Sequence, residues 1–255
     1  MHHGIVAANR RQEEPDAVAV VFDPPGGSFR DEIYPDYKAN RDPAPEELKR
    51  QFAWARSVAE AMGLSCYADG RYEADDLIGT LAVYWRARGH PICIVTSDKD
   101  LAQLIGDADH WWDFSRNQKL NVRQLTEKFG VAPHQMADYL ALTGDSVDNI
   151  PGVPGIGPKS AAALLGHFGD LESLYERLDE VPELPIRGAK SIHRKLADHR
   201  EAAELARRLT LIETSVESAL AAPDLLRAEV DMARLNRLFD DLSFGGMLRQ
   251  RCLQL

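Results

Sequence analysis

The sequence predicts an α/β domain with a parallel sheet, followed by a mostly helical region. Two short, continuous apolar runs, "AVAVVF" (residues 17–22) and "PICIVTS" (residues 91–97), have the length and composition of buried parallel strands. Helical patterns alternate with these runs, and the order strand, helix, strand, helix is typical of a parallel sheet. From Leu125 onward the pattern is almost wholly helical, so we expect one unit over residues 1–125 and another over residues 126–255.

The predicted helices carry their own start and stop signals. Residues 44–63 place acids in the first turn, apolar residues at helical spacing and a terminal glycine, and residues 73–89 begin acidic and end basic. After them, "HWWDF" and "KLNVR" flank the polar turn "SRNQ", which predicts a hairpin at the sheet edge. We expect its two tryptophans to pack inside the protein. Three further helices are predicted by "TEKFG", "PHQMADYLAL" and "KSAAALLGHFG".

Composition bounds the class of protein. The chain has 255 residues, 44% of them hydrophobic, which is enough for a sizeable core, and it has no apolar run of the roughly 18 residues that span a bilayer. The N-terminus lacks the apolar segment of a signal peptide, so we expect a cytoplasmic protein with no membrane partner. Three widely spaced cysteines form neither a disulfide framework nor a metal-binding pair, and we expect buried, reduced thiols.

Carboxylates stand where strands end and helices begin. Asp23 and Asp98 each follow an apolar run, and ligands of open α/β sheets bind beyond the carboxyl ends of the strands. The spacing of Glu73 and Asp76 puts both on neighbouring surface positions of one helix, and Asp145 and Asp148 repeat that spacing. Any one of these acids could be a helix cap or a solvated side chain. The full set of candidate metal ligands comprises Asp23, Glu73, Asp75, Asp76, Asp98, Asp100, Asp145 and Asp148.

These eight acids would repel one another unless cations held them together. Hard oxygen ligands without a cysteine or histidine cluster favour Mg²⁺ or Mn²⁺ over zinc, and two such ions suit phosphodiester hydrolysis. The net charge of −10 argues against a nucleic-acid partner at first, but it becomes −2 when the eight acids are set aside. Basic residues then remain that could contact the phosphates of a nucleic acid, although a run of basic residues is also typical of a solvated helix face. These residues are Lys38, Arg41, Lys159, Arg187, Lys190, Arg194, Lys195 and Arg200.

The stretch "GVPGIGPKSAAALL" begins at Gly152, shortly after Asp145 and Asp148. Its glycines let the backbone approach a ligand, and the N–H groups at the start of the following helix can hold a phosphate oxygen. We interpret it as the hairpin of a helix-hairpin-helix that grips a duplex backbone without reading bases. A purely structural corner is the alternative. A nucleotide-binding P-loop is excluded, because Pro158 stands where that motif has glycine before Lys159.

Six motifs together resemble one known family. "AVVFD", "YKANR", "EADDLIGTLA", "TSDKDLAQL", "LTGDSVDNIPGVPGIGPKSAAALL" and "RGAKS" occur in the order seen in the 5′→3′ exonuclease/flap endonuclease family, including the 5′-nuclease domain of bacterial DNA polymerase I. The resemblance runs from about Val18 to the C-terminus. It implies a Rossmann-like (PIN-like) core with a helical arch, followed by a helix-three-turn-helix whose hairpin binds K⁺ or Na⁺. It further implies cleavage of DNA that has a 5′ end or a single-stranded 5′ flap, and we expect a monomer.

The resemblance also assigns roles to individual residues. Ligands of the first divalent ion are expected to be Asp23, Glu73, Asp75 and Asp98, with Asp76 nearby. The second ion is expected on Asp98, Asp100, Asp145 and Asp148. Residues at the base of the arch, which contact the scissile phosphate in the family, correspond to Tyr37, Lys38 and Arg41. The duplex grip corresponds to Gly152, Val153, Gly155, Ile156, Gly157, Lys159 and Ser160, with Arg187 and Lys190 from the basic stretch.

The N-terminus departs from the family pattern. Family members open with a core strand that ends in a further aspartate, whereas this chain is expected to begin inside the helix that precedes "AVVFD". One interpretation is a start codon placed too far downstream, and the other is a real truncation, which would leave the first metal site one carboxylate short. We favour the misplaced start, because losing a central strand would cost much of a total stability of about 5–15 kcal/mol.

Two other classes of protein remain open. One is a structure-specific DNA-binding protein of the same fold that has lost catalysis. The other is a phosphatase with an aspartate nucleophile, since "SDKD" offers two aspartates after a strand, although "LAQL" after Asp100 departs from that pattern.

Overall fold

The computed structural model describes residues 5–6, 15 and 17–253, with the backbone alone at residues 5–6 and 251–253. It contains two small sheets and a set of helices. None of the helices in these residues is long and apolar enough to span a bilayer. The strands, helices and hairpin predicted from residue 17 onward are confirmed, except that Val122 and Arg123 of the predicted strand "KLNVR" lie in a helix, because Asn121 caps the start of that helix.

The first sheet consists of β1 (Ile5–Val6), β2 (Ala19–Val21) and β3 (Ser65–Tyr67), in that order. The apolar run after residue 16 forms β2, whose three side chains are buried, and β2 pairs in parallel with β3. Sequence reasoning missed β3, because "SCY" has neither an apolar run nor clear alternation.

The helix expected at the N-terminus is wrong at Ile5–Val6. These residues form β1, which pairs antiparallel with β2 and also lies against the strand Cys93–Val95 of the second sheet. Two β-branched residues beside an open strand edge favour pairing over a helix. The rest of that expected helix lies in residues 1–4, 7–14 and 16, outside the described residues.

The second sheet consists of β4 (Cys93–Val95), β5 (His110–Asp113) and β6 (Gln118–Leu120). β4 and β5 are parallel, and β5 and β6 form the predicted antiparallel hairpin. Trp111 and Trp112 are 2% and 3% exposed, so they pack inside as expected.

Twelve α-helices lie in the described residues. Those of the first half are α1 (Phe29–Ile33), α2 (Glu46–Ala61), α3 (Ala74–Arg86) and α4 (Val122–Phe129). The second half contains α5 (Met136–Thr143), α6 (Pro158–Phe168), α7 (Leu171–Glu176), α8 (Ala189–Asp198), α9 (Arg200–Thr210), α10 (Glu217–Leu220), α11 (Met232–Asp241) and α12 (Gly246–Leu253). Short 3₁₀ helices cover Asp100–Leu104, Pro133–Gln135 and Leu178–Glu183.

One continuous core joins the sheets to the helical second half. It includes Ile94 of β4, Trp111 of β5, Leu140 of α5 and Leu164 of α6, all almost fully buried. A smaller cluster packs α2 against α11 through Met62 and Phe239. The core thereby fixes the carboxyl end of β4 against the loop that follows α5. The division near residue 125 stays a prediction.

The cysteine expectation is only partly met. Cys66 and Cys93 are free thiols that are half-buried rather than fully buried, and burial raises the pKa of each to about 11. The side chain of Cys252 lies outside the described residues.

Candidate metal and DNA-binding site

The start of α3 brings the first acids into place. Glu73 is the N-cap, and a capping box joins it to Asp76, whose carboxylate accepts the backbone N–H of Glu73 at 3.0 Å. Both side chains are buried, so the predicted surface position of this pair is wrong. The backbone N–H of Ala74 donates to Asp23 Oδ1 at 3.0 Å, which fixes Asp23, at the end of β2, beside this helix start. Asp75, which follows Ala74 in the chain, is half-buried.

Asp76 is engaged in a structural ion pair. Its two oxygens accept hydrogen bonds from Arg30 Nη1 and Nη2 at 2.7 and 2.8 Å, and Oδ1 also accepts the backbone N–H of Glu213 at 2.9 Å. Arg30 donates further to the carbonyls of Leu209 and Leu211 at 2.8 and 3.1 Å. With both oxygens committed to these donors and no exposed surface, Asp76 is poorly suited to hold a metal ion, and we remove it from the candidate ligands.

The segment between α1 and α2 supplies cations to the site. Lys38 Nζ lies 2.7 Å from Glu73 Oε1 and 3.9 Å from an oxygen of Asp148, and Arg41 forms an ion pair with Asp148. The Tyr37 hydroxyl lies 3.1 Å from Glu73 and 3.4 Å from Asp148. Tyr37, Lys38 and Arg41 therefore converge on two of the predicted ligands.

Burial and neighbouring charges together set the protonation of Tyr37 and Glu73. Burial, then the charge of Glu73, raises the pKa of Tyr37, so the phenol stays neutral and acts as a hydrogen-bond donor. Burial alone would raise the pKa of Glu73, but the charges of Lys38 and Arg30 lower it overall, so this carboxylate is ionised at neutral pH.

The loop after α5 holds Asp145 and Asp148 in a tight turn. Asp145 Oδ1 accepts the backbone N–H of Val147 at 2.7 Å, and Asp145 and Ile150 exchange two backbone hydrogen bonds. The loop is tied to the first half of the chain, because the N–H of Lys38 donates to the Asp148 carbonyl at 2.9 Å and the Asn149 amide donates to the Asp36 carbonyl at 2.7 Å.

The end of β4 places the third group of acids. Asp98 Oδ1 accepts a hydrogen bond from the backbone N–H of Asp100 at 2.8 Å. The indole N–H of Trp111 donates to the backbone carbonyl of Asp98 at 2.8 Å. Burial, followed by the negative charge of Asp98, raises the pKa of Asp100 to about 7. Lys99 pairs with Asp145, and its Nζ lies 3.5 Å from Asp100 Oδ1.

These acids open onto a cleft of about 300 Å³. Its lining includes Asp98, Asp100, Asp145 and Asp148, together with Arg116 and Lys128. Within the described ranges, no three carboxylate, imidazole or thiol groups already stand as one metal-binding cluster. Ammonium and guanidinium groups lie between the acids instead.

The residues nevertheless fit divalent cations. The donor set consists of hard oxygens, and Asp100 Oδ1 is buried and accepts no hydrogen bond, although the Lys99 ammonium lies 3.5 Å away. Lys38 stands between Glu73 and Asp148, and Lys99 between Asp100 and Asp145, so in each place a positive charge already occupies the space between two carboxylates.

The glycines of the hairpin differ in how strictly the structure requires glycine at each position. A Cβ on Gly152 would lie 2.3 Å from the backbone nitrogen of Gly144, so this position requires glycine for the close approach of two backbones. Gly155 has φ of +76°, whereas an added Cβ at Gly157 meets nothing within 4 Å. Val153 and Ile156 are 2% and 4% exposed, so only their backbone can face a ligand.

The basic candidates near the hairpin are mostly exposed. Lys159, Arg187 and Lys190 are exposed, and Ser160, in the first turn of α6, is half-buried. Lys195 Nζ lies 3.5 Å from the carbonyl of Gly155, which joins α8 to the hairpin. The start of α6 at Gly157 has no side-chain cap, so its first N–H groups point outward.

Sequence reasoning missed two residues of this site. Lys99 stands between the two aspartates of "SDKD", and this position in the sequence could have indicated that it belongs to the site. Arg30 has no such signal, because only the fold brings it to Asp76, 46 residues away.

An α/β fold with clustered carboxylates beside a glycine hairpin defines a nuclease-like class of protein, and the comparisons with known proteins agree. Residues 3–130 match the family described as "5'-3' exonuclease, N-terminal resolvase-like domain", and residues 131–233 match "5'-3' exonuclease, C-terminal SAM fold". The chain belongs to the 5′-3′ exonuclease family.

Two individual relatives illustrate this family membership. The chain is 45% identical over 240 residues to DNA polymerase I of Pseudomonas aeruginosa, covering 93% of this chain and 26% of that protein. It is 37% identical over 199 residues to the 5'-3' exonuclease of Buchnera aphidicola subsp. Baizongia pistaciae, covering 78% and 66%. The chain thus spans about a quarter of the length of the polymerases that it matches.

The fold also matches a solved structure of the bacteriophage T5 D15 flap endonuclease with DNA and metal ions. The TM-score is 0.68, the identity is 23%, and the match covers 92% of this chain and 85% of that one.

Proposed function

We propose that the chain is a divalent-metal-dependent 5′→3′ exonuclease and 5′-flap endonuclease that hydrolyses DNA. The observation that carries the proposal is the convergence of acids from three separate segments just before the glycine hairpin. Asp100, Asp145 and Asp148 line one cleft, and Tyr37 and Lys38 join Glu73 to Asp148. Membership of the 5′-3′ exonuclease family supports it, as does the T5 relative whose structure contains DNA and metal ions.

The candidate ligands of two Mg²⁺ or Mn²⁺ ions are Asp23, Glu73, Asp75, Asp98, Asp100, Asp145 and Asp148. When bound, divalent ions polarise a phosphodiester and favour deprotonation of the attacking water. The protein's own groups orient the substrate. Lys38 and Arg41 are cations at the edge of the carboxylates, where they can pair with the oxygens of the scissile phosphate, and neutral Tyr37 donates a hydrogen bond that fixes Glu73.

The duplex is held by backbone groups and basic side chains. The hairpin from Gly152 to Gly157 and the open start of α6 present N–H groups to a phosphate, and Lys159, Arg187 and Lys190 extend a positive surface beside it. We further propose that the hairpin binds a K⁺ or Na⁺ ion, and a candidate ligand is the carbonyl of Gly155, which lies 3.5 Å from the ammonium of Lys195. Specificity then follows from the branched shape of the DNA rather than from its bases. A monomer in the cytoplasm remains our expectation.

The experiment is cleavage of a labelled 5′-flap duplex in Mg²⁺ and in EDTA. We expect products only with Mg²⁺, and we expect Asp145→Asn to abolish cleavage while binding to the flap duplex persists. Binding by the wild-type chain without cleavage would instead support a DNA-binding protein that has lost catalysis. Hydrolysis of a small phosphomonoester with no action on DNA would support a phosphatase.

A further inference from the structure

Lys99 lies inside the carboxylate group at the end of β4. Its ammonium forms an ion pair with Asp145 and lies 3.5 Å from Asp100 Oδ1, and both acids line the same cleft. The Asp145 carboxylate is 5% exposed, so it has little water to solvate its charge. Without the ammonium, two neighbouring carboxylates would face each other in a partly desolvated space, which is strongly unfavourable.

The Lys99 side chain can leave this position at low cost once another cation replaces its charge. It is 43% exposed, and its four-carbon stem can swing the ammonium into water without burying an unpaired charge. Lys38 differs in this respect, because its side chain is 22% exposed and its backbone N–H is held by Asp148. Burial favours the neutral form of Lys99, but the surrounding aspartates raise its pKa overall, so the group is charged at neutral pH.

We propose that the Lys99 ammonium is a built-in counter-ion that holds Asp100 and Asp145 together in the metal-free protein, and that a divalent ion binds by displacing it. Lys99 thereby lowers the affinity of the site for the divalent ion while keeping the empty site folded. The inference rests on the proposed function only in requiring that the carboxylates bind divalent ions. Lys99 is a positioning residue, since it acts through the carboxylates.

Calorimetric titration of the metal-free full chain with Mn²⁺, without DNA and in mildly alkaline buffer, tests the inference. Lys99→Met removes the competing charge, so we expect Mn²⁺ affinity to rise about tenfold. Lys99→Arg keeps the charge and adds a planar fork that can grip a carboxylate with two hydrogen bonds, so we expect affinity below that of the wild type. The expected order of affinity is therefore Met, then Lys, then Arg.

Lys128→Met is the matched control. Lys128 lines the same cleft, but its Nζ donates to Gln118 Oε1 at 2.7 Å. The same chemical change there should alter Mn²⁺ affinity less than about twofold. Thermal melting gives a second readout: metal-free Lys99→Met should melt below the wild type, and saturating Mn²⁺ should raise its Tm by more than that of the wild type.

Several results would overturn the inference. Unchanged or weaker Mn²⁺ binding by Lys99→Met would show that Lys99 supports the metal-bound state instead of competing with it. If Lys99→Met does not fold, Lys99→Arg decides, and an affinity equal to or above that of the wild type contradicts displacement. Failure of the wild type to bind Mn²⁺ at all would count against the proposed function as well as the inference. Mn²⁺ binding by the wild type with unchanged or weaker binding by Lys99→Met would count against the inference alone.

Discussion

Replacing Arg30 by methionine should destabilise the protein more than any exposed charge substitution. Arg30 and Asp76 are 2% and 0% exposed, and two hydrogen bonds of 2.7 and 2.8 Å join them. Methionine retains much of the packing of the arginine stem but leaves the Asp76 carboxylate buried with no cation. Removing one partner of a buried ion pair costs about 3–5 kcal/mol, a large part of a typical total of about 5–15 kcal/mol.

Urea unfolding of metal-free protein, followed by circular dichroism, measures this loss. Arg71→Met is the control, because Arg71 pairs with Glu32 at 2.9 Å on the surface, where both side chains are about 60% exposed. We expect it to cost less than about 1 kcal/mol. The double variant Arg30→Met/Asp76→Asn removes the uncompensated charge and should recover part of the stability lost by Arg30→Met.

The outcome decides the role of Asp76 as well. A loss below about 1 kcal/mol for Arg30→Met, or a double variant less stable than the single one, would refute the assignment of a structural ion pair. Full recovery of Arg30→Met by Mn²⁺, with no recovery in the double variant, would return Asp76 to the candidate metal ligands.

Three further predictions concern the hairpin and the thiols. Gly152→Ala forces a Cβ to within 2.3 Å of the Gly144 nitrogen and should cost about 1–3 kcal/mol in urea unfolding, whereas Gly157→Ala, with open space around the new Cβ, should cost little. Equal losses for the two would contradict the packing argument. Lys159→Ala should weaken binding of flap DNA by the inactive Asp145→Asn chain and reduce its salt dependence by about one counterion, as measured by fluorescence anisotropy across KCl concentrations; an unchanged slope would remove Lys159 from the interface. Cys66 and Cys93, with pKa values of about 11, should react slowly with iodoacetamide in the folded protein at neutral pH and quickly in urea, as read by mass spectrometry; rapid alkylation of either thiol in the folded protein would show that it is more accessible than the structure indicates.

Much of the architecture could be read from the sequence because its signals are local. Apolar runs, glycine stops and the "SRNQ" turn each predict an element within a few residues of themselves, and β2, β4, α3 and the hairpin were found in this way. β3 could not be found, since three residues with a serine at their start take their strand character from pairing with β2. The split into two sheets was likewise beyond a local pattern.

The site could be predicted in type but not in detail. Acids at strand ends and helix starts indicated where charge would gather, and Glu73, Asp98, Asp100, Asp145 and Asp148 lie in the cleft or at its edge. The spacing of Glu73 and Asp76 did not show which carboxylate faces the core, because that depends on Arg30 and Glu213, far along the chain. The same limit applies to Val153 and Ile156, whose burial depends on helices that pack behind the hairpin.

The hydrogen bonds between residues 36–41 and the loop at residues 145–149 bear on when the protein can acquire activity during synthesis. These contacts join groups more than 100 residues apart, such as Asn40 to the Ser146 carbonyl and Asn149 to the Asp36 carbonyl. A nascent chain whose exposed part ends near residue 130 holds Glu73 and Asp98 but lacks Asp145 and Asp148. Since a chain emerges from the ribosome from its N-terminus, the carboxylates cannot assemble until residues 145–149 have emerged, and the candidate metal site forms together with the hairpin that follows it.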